Sequence, residues 1–480
     1  MNIAVLGSGG REHALCYKLT KSKKIQNIFC IPGNAGTGRI VKNLDVDISN
    51  FQILYKEILK HNINIIIVGP ERPLVDGIVD FFNQKKILIF GPDKFAAQLE
   101  GSKYFTKLLC NQNNIPTAKF GVFNNITDAE SFIDKNKMPI VVKADGLASG
   151  KGVYICETKT HALNAIKEIL SGKFISSSTV LLEEFLSGEE MSYFIIADKN
   201  GYKFFGSAQD HKRVGEGDTG PNTGGMGAYS PSSIINNILE KKIRKKIIEP
   251  TLNGLKKMNH PYSGFLYAGL MITNNEPYLI EYNVRMGDPE CQTIMTLLET
   301  DLVNIIEATI AGKITDLEIS WKKEKSMCIV LCSKGYPNTY KKNIEIDKID
   351  NLILECGFSY ININNKDDNS LYEGYYLHGH QNTRAFGFKI YLERETISKL
   401  YLGFEFIQGF ISSMGSTTGN GFIHNIEQFN GDSDRGLAKI GLLTPISSEI
   451  YLDTSFNYMF ILDKDVREQD IELAEVGYIT

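Results

Sequence analysis

The sequence predicts a chain of mixed class, α/β in its first part and α+β beyond, on three observations. Four short apolar runs in the first hundred residues each end in Gly or Pro-Gly and alternate with helical stretches, the pattern of a parallel sheet. Between residues 139 and 156 an apolar strand enters a glycine-rich turn and leaves it as a second strand, an antiparallel hairpin. Past residue 347, strand-like runs and glycine turns predict a β-rich segment. The length of 480 residues suits about three domains at roughly 150 residues each.

Composition narrows the function classes. The chain is 42% hydrophobic and 22% charged, with a formal charge of −4, ordinary values for a globular protein. No segment gathers Lys and Arg into a broad basic face, which excludes a general nucleic-acid binder. No apolar run approaches the ~20 residues that span a bilayer. The opening "MNIAVLGSGG" lacks the basic flank and cleavage site of a signal peptide and reads as a first strand. The eight cysteines are scattered, Cys328 and Cys332 lying closest, and no CxxC or His-Cys cluster occurs. That usage fits free thiols in a reducing compartment. The expectation is a cytoplasmic, monomeric enzyme acting on small molecules, with no nucleic-acid and no membrane partner.

The first element is the strand "NIAVLG", followed by a glycine turn and the amphipathic "REHALCYKLTKS". Such a strand–turn–helix makes a phosphate-sized concavity lined by helix N–H groups. "NIFCIPG" at 27–33, "INIIIVGP" at 63–70 and "KILIFGP" at 86–92 repeat the strand and turn. In such sheets ligands sit beyond the carboxyl ends of the strands. A dinucleotide fingerprint fails, because the third glycine of G-x-G-x-x-G falls on Glu12. A phosphate site remains, since Arg11 and His13 supply donors beside Gly9 and Gly10. "PGNAGT" (Pro32 to Thr37) and "GPERPLVDG" (Gly69 to Gly77) fall on the same sheet edge.

The next elements carry nucleotide chemistry. In "PIVVKADGLASGKGVYIC" Lys143 stands on an apolar strand and Lys151 follows the turn, two cations that would neutralise a triphosphate. This is not a Walker A loop: Gly146 and Gly150 enclose three residues rather than four, and Gly152 replaces the Ser or Thr. "TVLLEEFLSGEEMSYFII" ends an apolar strand at Glu183, Glu184 and Phe185, a strand-to-linker edge able to meet an adenine amino group. Glu190 is placed to reach ribose hydroxyls.

"DHKRVGEGDTGPNTGGMGAYSP", Asp210 to Pro231, follows no helix or strand period and is read as a long active-site loop. Gly220, Gly224 and Gly225 would let backbone N–H groups approach phosphate. Lys212 and Arg213 would meet negative charge, while Asp218 and Asn222 would orient an amine or water. In "YLIEYNVRMGDPE", Glu281 and Asn283 share one strand face and form a hard-oxygen pair suited to Mg²⁺. Arg285 follows on that face, suited to a carboxylate or phosphate; a salt bridge to Asp288 or Glu290 is the alternative reading.

Together these stretches resemble the ATP-grasp ligases. With "GSGGREHAL", "PGNAGT" and "QLEGSKYFTK", the resemblance narrows to the phosphoribosylamine–glycine ligases, also called glycinamide ribonucleotide synthetases, over residues 1 to 345. The resemblance implies ATP, glycine and 5-phosphoribosylamine as substrates, glycyl phosphate as intermediate, and glycinamide ribonucleotide, ADP and phosphate as products, a step of purine synthesis. It implies Lys107, Lys143 and Lys151 at the phosphates, and Glu281 and Asn283 on Mg²⁺ or Mn²⁺. Arg285 would meet the glycine carboxylate or the transferring phosphoryl group, with Asp210, Lys212 and Asp288 beside the chemistry. Gly9, Gly10 and Arg11, with Gly33, Asn34, Ala35 and Gly36, would hold the ribosylamine phosphate. The implied domains are 1–102, an ATP-grasp domain at 103–315 with its lid at about 118–190, and the start of a C-terminal domain at 316–346. Another ATP-grasp carboxylate–amine ligase, a purine-pathway carboxylase and an inactive nucleotide-binding fusion are the alternatives.

The resemblance stops after "VLCSKGYPNTYKKNIEI" (Val330 to Ile346). The family's "FHAGT"-like strand end and "GGRVL"-like turn do not occur. A breaker-rich linker, "ININNKDDNS", leads instead into a stretch with strand-like runs such as "FGFKIYL" and "NYMFILD". His378, His380 and His424 have no metal-ligand spacing. Residues 347–480 are either a replacement for the family domain or an unrelated module joined to the ligase.

Overall fold

The computed structural model describes residues 1–147, 152–173, 179–215, 219–330 and scattered positions to 340, and beyond these the backbones of strands between 352 and 479. Two compact units divide the chain, Met1–Lys342 and Asn343–Thr480.

The first unit opens with a five-stranded parallel sheet of β1 (Asn2–Gly7), β2 (Asn27–Pro32), β3 (Lys42–Asn43), β4 (Ile65–Val68) and β5 (Leu88–Phe90). Their order is β3-β2-β1-β4-β5, so the chain reverses its winding at β1 and opens a crevice beyond the carboxyl ends of β1 and β4. Both strands are continuous apolar runs because both of their faces are covered. Ala4 and Leu6 enter one core and Ile3 and Val5 the other. Glu12, which breaks the dinucleotide fingerprint, has a structural use. Its carboxylate accepts from Gly9 N at 2.6 Å and from Arg11 Nε at 2.6 Å. A Cβ on Gly7 would come within 2.6 Å of the Glu12 side chain, so the turn holds a buried cap where a dinucleotide site needs space.

A second sheet is antiparallel: β6 (Phe120–Phe123), β7 (Ile140–Ala144), β8 (Val153–Cys156) and β9 (Val180–Glu184), in the order β6-β9-β7-β8. The hairpin expected around Lys143 is β7–β8, with Lys143 opposite Val153. Ile140, Val142, Val180 and Leu182 bury one face against the helices Ile126–Ile133 and Lys159–Glu168. Asn125 and Thr158 cap those helices through their side-chain oxygens.

The largest sheet of this unit contains β10 (Glu189–Asp198), β11 (Gly201–Gly215), β12 (Thr219–Ser230), β13 (Gly264–Thr273), β14 (Glu276–Asn283) and β15 (Ser326–Ile329), ordered β14-β13-β10-β11-β12-β15. β10 is central, and its alternation divides it between cores. Met191, Tyr193 and Ile195 join the core that holds Ala4, while Phe194 and Ile196 join the one that holds Val5. The parallel sheet and this sheet therefore share both cores.

The stretch Asp210–Pro231 corrects the sequence reading. Its described residues to Ser230 are the end of β11 and the whole of β12, paired strands rather than a loop. Asp210 pairs with Ala228 and His211 with Gly227, and the register then shifts so that Arg213 meets Asn222. The β12 side carries the extra residues, a bulge that bends the hairpin. On its other edge Gly227 pairs with Ile329 of β15, where a Cβ would lie 2.7 Å from the Cys328 carbonyl oxygen. Glycine there serves close strand packing, which erases the alternation a strand normally shows.

The second unit is β-rich, as expected. β16 (Leu352–Glu355), β17 (Ser370–Tyr372), β18 (Tyr375–His378), β19 (Arg384–Glu393), β20 (Lys399–Phe410), β21 (Ser413–Ser416), β22 (Asp432–Pro445), β23 (Tyr451–Ile461) and β24 (Ala474–Ile479) form two sheets. Their orders are β16-β19-β20-β22-β23-β24 and β17-β18-β21, with antiparallel pairing throughout. His378 ends β18, while His380 and His424 lie outside the described residues. No helix among the described residues is long and apolar enough to cross a membrane.

Candidate active site

A cleft of about 530 Å³ lies within Met1–Lys342. Leu99, Ala118, Val141, Ile155, Leu186 and Met271 give it apolar walls. Phe185 also lines it, 41% exposed.

Two lysines from separate elements converge on one carboxylate. Lys107, on the helix Lys103–Gln112, reaches Glu183 Oε2 at 3.2 Å; Lys143, on β7, reaches Glu183 Oε1 at 2.9 Å. All three are buried. Burial pushes the Lys107 pKa down and Glu183 pulls it back up, the two opposing effects of a desolvated ion pair. Lys107 also donates to Thr117 Oγ1 at 2.6 Å, which donates to the Leu279 carbonyl at 2.7 Å. Two ammonium groups thus share one carboxylate, and the trio carries surplus positive charge. Both oxygens of Glu183 face lysines, because β9 lies between β6 and β7 and turns this residue inward. Glu184 is likewise engaged, its Oε1 accepting from Lys119 N at 2.9 Å.

Deeper in, Glu281 and Asn283 end β14 and both line the cleft. Burial pushes the Glu281 carboxyl up, but Lys212, Lys143, Lys103 and Arg285 outweigh it and hold the group below its usual range. An ionised carboxylate beside an amide carbonyl fits a divalent cation, which takes hard oxygen ligands and keeps other positions for water and phosphate. Among the described residues no group of three or more His, Cys, Asp or Glu is poised to hold a metal.

Across from this pair, Lys212 forms ion pairs with Glu190 and, at 4.0 Å, with Asp210. Burial lifts the Asp210 pKa; Lys212 opposes, Glu290 and Glu190 add to the lift, and the group settles at about 7. Lys212 itself is raised, because Glu190, Asp210 and Glu281 outweigh its burial. Glu290 is held by the Ser192 hydroxyl at 3.1 Å, which is 2.9 Å from the Tyr267 hydroxyl.

Arg285 completes the far end. Its Nη2 donates to Glu100 at 2.7 Å, its Nη1 to the Met286 carbonyl at 3.1 Å, and its Nε lies 3.4 Å from Glu71. The salt bridge considered from sequence, to Asp288 or Glu290, does not form; both carboxylates are committed elsewhere. Asp288 accepts from Arg11 N at 3.3 Å and from Gln292 Nε2 at 2.6 Å, and Gly9 and Gly10 pack against these two side chains. Arg11 donates to Glu12 at 2.6 Å and to the Met286 carbonyl at 3.3 Å. Asn34 Nδ2 donates to the Ser8 carbonyl at 2.8 Å, so the Gly33–Asn34–Ala35–Gly36 turn adjoins the Gly9–Gly10 turn.

Most of the residues singled out in the sequence come together here. Arg11, Lys107, Lys143, Glu183, Glu184, Phe185, Glu190, Asp210, Lys212, Gly224, Glu281, Asn283, Arg285 and Asp288 line one cleft. Gly220 is exposed toward the hairpin end, and Gly225 N donates to Thr223 Oγ1 at 3.0 Å. Lys151 and Asp218 lie outside the described residues, and Asn222 is described by its backbone alone. Glu71, Glu100 and Lys103 were missed as site residues, although their motifs "GPERPLVDG" and "QLEGSKYFTK" contain them.

Two family models match the chain: the phosphoribosylglycinamide synthetase N domain over residues 1–100 and its ATP-grasp (A) domain over 101–291. The chain belongs to this family. Phosphoribosylamine–glycine ligase from Brucella melitensis is 44% identical over 353 residues, 73% of this chain and 83% of that protein. The Haemophilus influenzae ligase is 46% identical over 351 residues, 72% of this chain and 82% of that protein. The crystal structure of the Thermotoga maritima ligase aligns with TM-score 0.63 at 30% identity, covering 84% of this chain and 89% of that one. N5-carboxyaminoimidazole ribonucleotide synthetase from Thermus thermophilus, at 16% identity and TM-score 0.50, covers 68% of this chain and 82% of that one and shows a likeness of fold alone. As a family member the chain is an ATP-grasp ligase, and the family calls for ATP and a divalent metal.

Proposed function

We propose that this phosphoribosylglycinamide synthetase family member ligates glycine to 5-phosphoribosylamine, giving glycinamide ribonucleotide, ADP and phosphate in purine biosynthesis. The observation that carries the reading is a single cleft in which a lysine pair with surplus positive charge faces an ionised carboxylate–amide pair, with Arg285 beyond them.

Lys107, Lys143 and Lys151 hold the ATP phosphates, and the apolar walls beside Glu184 and Phe185 take the adenine. Glu281 and Asn283 hold Mg²⁺ or Mn²⁺, which neutralises phosphate charge when bound. Arg285 holds the glycine carboxylate, one oxygen of which attacks the γ-phosphorus. The bond to the bridging oxygen breaks, ADP leaves, and glycyl phosphate forms. The ribosylamine nitrogen then attacks the acyl carbon, phosphate departs, and the nitrogen gives up a proton. Asp210, poised near neutrality and beside Lys212, accepts it. Positioning and charge neutralisation supply the rate, and no nucleophilic side chain is needed. Arg11 and the turns Gly9–Gly10 and Gly33–Gly36 hold the ribosylamine phosphate, Asp288 lies beside it, and the Gly220–Gly225 part of the hairpin covers the substrates.

In this reading the phosphoribosylamine domain spans 1–102, the ATP-grasp domain 103–315 with its lid at about 118–190, and the enzyme works as a cytoplasmic monomer. The test supplies the full chain with ATP, glycine and freshly generated phosphoribosylamine and follows ADP release. Release that needs both glycine and the amine is expected; release independent of glycine overturns the reading.

A further inference from the structure

Glu100 belongs to a short helix, Gln98–Gly101, that leads into the helix carrying Lys107. Its carboxylate is almost buried, with 8% of the side chain exposed, and it makes two contacts to one short stretch of chain. Oε2 accepts from Val284 N at 2.8 Å, and Oε1 accepts from Arg285 Nη2 at 2.7 Å. Val284 is the residue between Asn283 and Arg285. One carboxylate therefore fixes both the backbone that follows the cation pair and the guanidinium beyond it.

The other contacts of the guanidinium are longer. Nη1 donates to the Met286 carbonyl at 3.1 Å, and the buried Nε, which makes no hydrogen bond, lies 3.4 Å from Glu71. Glu100 is thus the main side-chain determinant of where this guanidinium points.

We infer that Glu100 is a positioning residue that aims Arg285 at the glycine carboxylate and fixes the end of β14, without itself touching substrate. The inference rests on the proposed role of Arg285. A residue serving only as counter-ion needs charge; a positioning residue needs charge and reach. Aspartate keeps the first and loses the second, being one methylene shorter, so it cannot span Val284 N and Arg285 Nη2 together. Glutamine keeps the reach and loses the charge.

The experiment compares steady-state ADP release by the wild-type full chain, Glu100→Asp, Glu100→Gln and Arg285→Lys. Both Glu100 variants are expected to raise the KM for glycine about tenfold, the loss of roughly one charged hydrogen bond. The KM for ATP should stay within about twofold, which also shows that the variants are folded. Arg285→Lys should raise the glycine KM at least as much. Wild-type behaviour of Glu100→Asp with an impaired Arg285→Lys overturns the inference and leaves the proposed function standing. An equal rise in both KM values overturns it too, because the change would then be general. An unchanged glycine KM in Arg285→Lys overturns the role of Arg285 and the inference with it, and no glycine-dependent release by the wild type overturns the function itself.

Discussion

The cleft has two charged ends built on opposite plans. At the phosphate end, Lys107 and Lys143 share the single carboxylate of Glu183. At the far end, Arg285 and Arg11 face Glu71, Glu100 and Glu12, so anions outnumber cations. Buried charge is costly unless paired. The first end therefore holds a cation whose natural partner is a ligand, while the second orients its cations with protein carboxylates and the Met286 carbonyl. One end is arranged with charge to spare and the other with its cations held in a fixed direction.

The sharpest way to break this contrast is to remove one cation from the phosphate end. Lys143→Met should lower kcat/KM for ATP by about 10²–10³, the size of losing one preorganised charge contact in a dry site. A loss below tenfold would mean that Lys143 only balances Glu183. Glu183→Gln strips the counter-ion from both lysines and should cost about 3–5 kcal/mol of stability by urea denaturation, as breaking a buried pair does. Glu71→Gln, at a carboxylate 29% exposed, should cost about 1 kcal/mol or less by the same measurement. Equal costs would erase the distinction between the two ends.

How much of this could be read in the sequence depends on where each partner lies. Four of the five parallel strands were legible because they are apolar runs that end in or before glycine, a local pattern, whereas β3 is only Lys42–Asn43. Glu281 and Asn283 were legible because alternation along one strand puts both on one face. The hairpin at Asp210–Pro231 was not, since Gly224, Gly225 and Gly227 carry no side-chain pattern and the pairing is set by β10 and β15 on either side. The lysine pairing of Glu183 was not legible for a related reason: its partner Lys107 arrives on a helix far earlier in the chain. Glu71 and Glu100 were quoted within motifs, but only the fold brings them to Arg285.

A smaller effect sharpens the chemistry between the two ends. The Asp210 carboxyl is raised to about 7 by burial, which Lys212 opposes and Glu290 and Glu190 reinforce. A raised carboxyl stabilises the fold while it is protonated, fully below its ordinary value, and loses that contribution as pH rises through about 7. Asp210→Asn stays neutral and loses nothing over that range. Its Tm relative to wild type should therefore climb between pH 5 and 8 in thermal scans, and the acid limb near pH 7 in kcat/KM should vanish. A Tm difference that is flat with pH would place the Asp210 pKa back in the usual carboxylate range.

The smallest effect concerns the second unit. All the described residues proposed for ATP and the cation lie between Leu99 and Asn283, inside the 1–291 span matched by the family models. A chain ending near Ile346 should consequently bind ATP within about twofold of the full chain by calorimetry, a difference under about 0.5 kcal/mol. Turnover then separates the two accounts of residues 347–480. A fused module leaves kcat unchanged on removal, whereas a replacement domain that closes over the substrates takes kcat down with it while ATP affinity stays. We expect the first result, because the cation pair, the phosphate lysines, Arg285 and Asp210 all belong to Met1–Lys342. A tenfold loss of ATP affinity would show that the nucleotide site itself needs the β-rich unit.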